Sequence, residues 1–183
     1  MQFDDIETVV KVHLCSFRGF FLSFLGPAFL RELYLAIIGD GSGIAWVFQS
    51  GEDIIGFVAG TSQPADFYHR LLRQRWWRFG LAAIPAMFRN PLIVPRLLRT
   101  FRKPQESASQ PDTGTLMSIA VLPESQRQGV SQVLVGAFLE EAKQRDLKQV
   151  NLTTDRDNIN PVNHIYRKLY HCVINDCKIG NSN

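Results

Sequence analysis

Between a short apolar run and an amphipathic stretch, the chain reads Val121-Leu-Pro-Glu-Ser-Gln-Arg-Gln-Gly-Val-Ser131. Leu116, Ile119, Val121 and Leu122 lead into it, and Val133, Leu134, Phe138, Leu139 and Ala142 follow at helical spacing. A strand, a glycine-bearing turn and a helix N-terminus in that order make an anion site. The turn points several backbone N–H groups at one phosphate, and the helix dipole adds partial positive charge there. Gly129 lets the backbone approach phosphate oxygens with no Cβ in the way. The Gly-Lys-Ser/Thr ending of a nucleotide-binding P-loop is absent. A strand–turn–helix with one glycine is also a common plain connection, so the turn alone does not define a function.

Gln126-x-x-Gly129-x-Ser131 resembles the Gln/Arg-x-x-Gly-x-Gly/Ala signature of the GCN5-related N-acetyltransferases (GNAT), with Ser131 at the last small position. The resemblance implies that the backbone at Ile119, Ala120 and Val121 meets the pantetheine arm of acetyl-CoA, Ile119 and Val121 pairing with its amides like an added strand. It also implies a pyrophosphate cradle over Arg127, Gln128, Gly129, Val130, Ser131 and Gln132. A second block, Asp157-Asn-Ile-Asn-Pro-Val-Asn-His-Ile-Tyr166-Arg-Lys-Leu-Tyr170, is similar to the family's Asn-x-x-Ala-x-x-x-Tyr-x-x-x-Gly-Phe helix. The resemblance makes Tyr166 the acid that protonates the departing thiolate, since a phenol is neutral at pH 7. Ile159 stands where the family has Asn, flanked by Asn158 and Asn160, and Asn160 is taken as the pantetheine contact. Tyr170-His171 replaces the Gly-Phe ending.

The segment from His13 to Tyr34 resembles a subgroup of the same transferases, whose first two helices wall the acceptor site. Phe20, Phe21 and Phe24 then either line a pocket or pack in the core. An attacking amine must shed a proton, and Asp155, His13 and His164 are candidate bases, each with an ordinary structural role as its alternative. No Gly-x-Ser-x-Gly elbow is present, so a serine hydrolase is excluded.

Around these residues the expected elements are helices over 5–15, with Asp4 or Asp5 as N-cap, and over 27–38. A hairpin of strands 44–49 and 54–60 follows, then strand 115–122, helix 129–144, strand 150–154, helix 161–170 and a strand at 171–178. This is an α/β domain of GNAT-like architecture: a mixed, mostly antiparallel sheet with a central parallel strand pair, flanked by helices. Such domains usually open with a strand and close with two; here only Met1–Phe3 and 171–178 are available. One domain over residues 1–183 is expected from the length.

Between the hairpin and strand 115–122 lies an insert, 66–103, holding nine of the chain's twenty Lys and Arg residues and one acidic residue, Asp66. Trp76, Trp77 and many aliphatic residues are interleaved with this charge. Pro85, Pro91 and Pro95 predict several short pieces and not one long helix. The insert suits a core cover with outward arginines, a membrane surface, or a lid over an anionic substrate. A polar loop is expected over 104–114.

A formal charge of +3 without a reading motif argues against nucleic acid. Three cysteines without metal-ligand spacing argue for reduced thiols and against a metal site. The acidic start Met1-Gln-Phe-Asp-Asp is unlike a secretory signal, so a cytoplasmic protein is expected, with peripheral membrane contact through the insert as an option. The expected function is acetyl transfer from acetyl-CoA to an amine of a small molecule, an amino sugar or a lipid-linked acceptor. The alternative is a non-catalytic CoA-binding or membrane-surface protein that keeps the fold.

Overall fold

Apolar spacing and turn chemistry set the elements of the computed structural model, which describes residues 1–89, 112–152 and 172–173. Helix α1 (Ile6–Ser16) buries Ile6, Val9, Val10, Val12 and His13. Asp5 occupies its N-cap position, but its carboxylate accepts from the Gln2 N–H at 2.6 Å instead of capping the helix. The one-turn α2 (Phe21–Phe24) leads to Gly26, whose φ of +88° only glycine adopts readily, and Pro27 then opens α3 (Pro27–Gly39).

Strands β1 (Gly43–Ser50) and β2 (Asp53–Thr61) form the expected hairpin, turning through Gly51. Helix α4 (Pro64–Arg89) follows, then β3 (Thr113–Val121), α5 (Val130–Gln144), β4 (Gln149–Leu152) and β5 (Cys172–Val173). The described strands form one sheet in sequence order. Only β3 and β4 run parallel; β1–β2, β2–β3 and β4–β5 are antiparallel. The first three residues of the helical N-terminus, Phe3–Asp5, form a 3-10 turn and not a strand.

Two apolar layers sandwich the sheet. On one face α1, α3 and α4 pack over Phe57, Ala59 and Ala120. On the other, α5 lays Val130, Leu134, Phe138 and Ala142 over Ile44, Val58, Leu116, Ile119 and Val121. A bulge places Met117 as the extra residue of β3, opposite the step from Ala59 to Gly60.

The insert departs from expectation. Residues 64–89 form one helix of 26 residues that passes through Pro85. Phe67, Leu71 and Phe79 are buried at helical spacing, and Phe79 meets Phe29 of α3 edge to face at 5.0 Å. That stripe outweighs the local cost of one proline near the helix end. Pro91, Pro95 and the rest of the insert lie outside the described residues. So does most of the loop expected at 104–114, though β3 begins inside it, at Thr113.

Arg70 of α4 fastens the helix to the sheet. Its Nε donates to Asp40 Oδ2 at 2.7 Å and its Nη2 to Asp40 Oδ1 at 2.9 Å and Ser42 Oγ at 3.0 Å. Ser42 Oγ and Thr61 Oγ1 lie 2.8 Å apart, which carries the network to the end of β2. The Arg70 guanidinium holds the Asp40 carboxyl down at about 2, with the Ser42 hydroxyl and amide assisting.

Candidate active site

The turn after β3 is exposed from Gln126 to Gln128 and enters α5 through Gly129. Arg127 and Gly129 are both left-handed, with φ of +64° and +79°. Alternating handedness in a turn gathers successive N–H groups into a concavity. Gln132 and Val133 spend their N–H groups on the Gly129 carbonyl, at 3.0 and 3.2 Å. The amides of Arg127, Gln128, Gly129, Val130 and Ser131 find no protein acceptor among the described residues. A Cβ built on Gly129 would meet only Gln132 Oε1, at 3.6 Å, so the space above the turn is open. These donors fit a diphosphate at the mouth of α5.

Strand β3 has two unlike halves. Parallel pairing with β4 covers Thr113 to Leu116 and ends at Leu116–Leu152. Beyond that, no described strand pairs with the β4-side edge of β3. The Leu122 N–H donates to the Ile55 carbonyl of β2 at 2.8 Å. Backbone direction alternates along a strand, so the main chain of Ala120 also faces β2 while that of Ile119 and Val121 faces the opposite edge, which no described strand covers. Ile119 and Val121 are thus the two residues whose main chain an extended amide-bearing ligand would meet.

One of these groups is already engaged. The Val121 carbonyl accepts from Ser16 Oγ at 3.2 Å and from Gln126 Nε2 at 3.4 Å. Val121 therefore offers the edge its N–H alone. Gln126, the first residue of the turn motif, uses its side chain to tie the turn to the strand end. Ser16, at the last turn of α1, ties the first helices to the same atom. Ser16 and Val121 are 105 residues apart, and no local signal marks the pairing.

His13, one of the candidate bases, is buried away from solvent. It lies on the inward face of α1 with 2% exposure, and burial lowers its pKa to about 4. Its Nδ1 is 2.6 Å from the Tyr34 hydroxyl, and its ring lies against Phe17 and Phe57. Burial pushes the Tyr34 phenol upward despite the Ser118 hydroxyl bonded to it. Both side chains are neutral at pH 7, and a sealed neutral imidazole has no path to a substrate amine. Phe20 is half-buried against Phe17, ring centroids 5.1 Å apart, while Phe24 is 60% exposed. Tyr166, Asn160, Asp155 and His164 lie outside the described residues.

Similarity to known proteins agrees with this architecture. Residues 9–169 match the acetyltransferase (GNAT) family. The chain belongs to the GNAT acetyltransferase family. Its fold is similar to the aminoglycoside 6'-N-acetyltransferase AAC(6')-Ig of Acinetobacter haemolyticus, with a TM-score of 0.60, 12% identity, and coverage of 100% of this chain and 94% of that one. The ribosomal-protein-S18-alanine N-acetyltransferase of Escherichia coli gives a TM-score of 0.53 at 13% identity, over 92% of this GNAT chain and 72% of its own. The PaiA N-acetyltransferase of Thermoplasma acidophilum, solved with coenzyme A, gives 0.53 at 11% identity, over 92% and 84%. No curated protein matches the sequence. At such identities the structural likeness establishes the GNAT fold and not an acceptor.

Proposed function

We propose that this GNAT chain is a single-domain N-acetyltransferase, moving the acetyl group of acetyl-CoA to an amine of a small molecule or amino sugar. One observation carries the reading: the edge at Ile119 and Val121, which no described strand covers, runs into an exposed turn whose amides, Arg127 to Ser131, have no described protein acceptor. An edge strand takes an amide-bearing chain as an extra strand, and the turn takes its phosphates. Gln132 contributes its side chain, since its own N–H is bonded to Gly129. Asn160 is assigned to the pantetheine.

In the transfer, the amine lone pair attacks the thioester carbonyl. A C–N bond forms, the C–S bond breaks, and the thiolate takes a proton from Tyr166. The proton lost by the amine leaves through water or through Asp155 or His164, the bases still open now that His13 is sealed away. Solved relatives are named for aminoglycoside and for protein acceptors, and the first supports an amino-sugar amine here. A lipid-linked amine is the acceptor class that peripheral membrane contact would favour. The setting is the cytoplasm.

Acetyl-CoA should raise the melting temperature, with a linkage of about 2.7 kcal/mol at about a hundredfold excess over its dissociation constant. Tyr166→Phe should slow transfer and keep that shift; full activity in this variant removes Tyr166 from the mechanism. A melting shift without turnover on a panel of amines leaves a non-catalytic CoA binder. No shift at all sinks both.

A further inference from the structure

Ser16 is half-buried in the last turn of α1, where a serine hydroxyl ordinarily returns to a carbonyl one turn back in its own helix. Its single O–H is given instead to the Val121 carbonyl at 3.2 Å. That carbonyl belongs to the peptide unit Val121–Leu122, whose N–H donates to the Ile55 carbonyl of β2 at 2.8 Å. Gln126 Nε2 donates to the same oxygen at 3.4 Å. One peptide unit thus joins α1, β2 and the glycine turn, and bonds chained through it strengthen one another.

The residues after Ser16 form a loop tied to itself. The Phe17 carbonyl accepts from the Phe20 N–H at 3.2 Å and from Ser23 Oγ at 2.7 Å. The Phe17 ring lies between His13 and Phe20, with centroids 4.7 and 5.1 Å away. At the far end Leu25 is buried and the Gly26 N–H donates to the Ser23 carbonyl at 3.2 Å. Such a loop moves as a unit. Ser16 hangs its near end on the β3 edge that Ile119 and Val121 present.

We infer that Ser16 is a positioning residue that couples the loop Phe17–Gly26 to the ligand edge of β3. A ligand bonded along Ile119 and Val121 steadies the loop through the Ser16 hydroxyl, and by linkage the loop steadies the ligand equally. The inference rests on the acetyl-CoA reading above. Gln126 holds the same carbonyl but no part of the loop, so it cannot stand in for Ser16. It does keep that oxygen bonded in Ser16→Ala, so this variant leaves no orphaned acceptor at the strand end.

Hydrogen exchange of the full chain with and without acetyl-CoA tests the coupling. Without ligand, Ser16→Ala should speed exchange of the bonded Phe20, Ser23, Phe24 and Gly26 amides about fivefold, the worth of one neutral hydrogen bond. In the wild-type chain acetyl-CoA should slow exchange both at Arg127 to Ser131 and at these loop amides. In Ser16→Ala the turn should keep its protection and the loop should lose it, while acetyl-CoA binds about fivefold more weakly. Ser16→Thr, which keeps the hydroxyl, should restore both. Unchanged loop exchange in unliganded Ser16→Ala overturns the inference. So does a ligand that protects the turn but not the loop, or that protects the loop equally in Ser16→Ala; these outcomes leave the acetyl-CoA reading standing. An unprotected turn in the wild-type chain overturns that reading, and the coupling with it.

Discussion

The two halves of β3 are built to opposite ends. Its first half, Thr113 to Leu116, pairs with β4, and Thr115 and Leu116 pair with β2 as well. A Cβ on Gly60, its neighbour in β2, would lie 2.2 Å from the Thr115 carbonyl oxygen and 2.9 Å from the Phe138 ring. The second half, Met117 to Val121, lacks a described partner on one edge and ends at a turn where a Cβ on Gly129 meets open space. The supporting polar groups differ likewise. A charged clasp, Arg70–Asp40–Ser42–Thr61, secures the paired end, where Thr61 pairs with Thr115. Beneath the open half lies a neutral, buried set: His13, Tyr34 and Ser118. On the function proposed above, the strand edge that takes the ligand is held from below by groups that carry no charge.

Substitutions can break this contrast. Gly60→Ala should cost the most, about 3 kcal/mol or more, because backbone and a packed ring must both move. Gly129→Ala should cost only about 1 kcal/mol, through its positive φ, and should instead weaken acetyl-CoA binding. Urea unfolding with and without acetyl-CoA separates the two. Equal stability losses would dissolve the distinction between a closed and an open half.

Acid titration sharpens it further. His13 has a folded pKa of about 4 against the ordinary 6.5 of a histidine, so between these pH values the unfolded chain binds the extra proton. Stability should therefore fall by up to about 3 kcal/mol as pH drops through that window, then level off. His13→Gln, which keeps a polar group beside Tyr34, should flatten this limb. Asp40 acts lower and less. Its carboxyl is depressed from 3.8 to about 2, so its contribution is complete above 3.8 and is lost as pH falls toward 2. The clasp is partly open to solvent, which limits that loss to about 1 kcal/mol. Asp40→Asn should remove the lower limb and leave the upper one. Melting temperature against pH reads both, and a single shared limb would show that the two networks are one.

Elements with strong period and punctuation were legible from residues alone: α1, α3, the hairpin around Gly51, β3 and α5. The turn at Gly129 was legible too, because its glycine and flanking patterns are local. Three features were not. The course of α4 through Pro85 depends on burial of Phe67, Leu71 and Phe79 against another helix, which no local rule about proline contains. The His13–Tyr34 contact and the Ser16–Val121 bond join distant segments, so neither leaves a spacing to detect. The Val121 carbonyl is engaged by Ser16 and Gln126, which leaves its N–H for the proposed pantetheine contact. Tyr166 and Asn160 rest on motif alone.

The extra residue at Met117 has a further consequence. In an uninterrupted strand, Leu116 and Ile119 would project to opposite sides, being three positions apart. The inserted residue resets the alternation, and both reach the same helix, α5. A strand that kept all its residues but lost the bulge would swap faces beyond this point, sending Ile119 and Val121 toward α1 and α3 and Ala120 toward α5. Deleting Met117 would not, because Leu116 and Ile119 would then stand two positions apart and reach α5 along a regular strand. A chain shortened by one residue at this point should therefore pair β3 with β2 without a bulge and need no compensating insertion before the glycine turn.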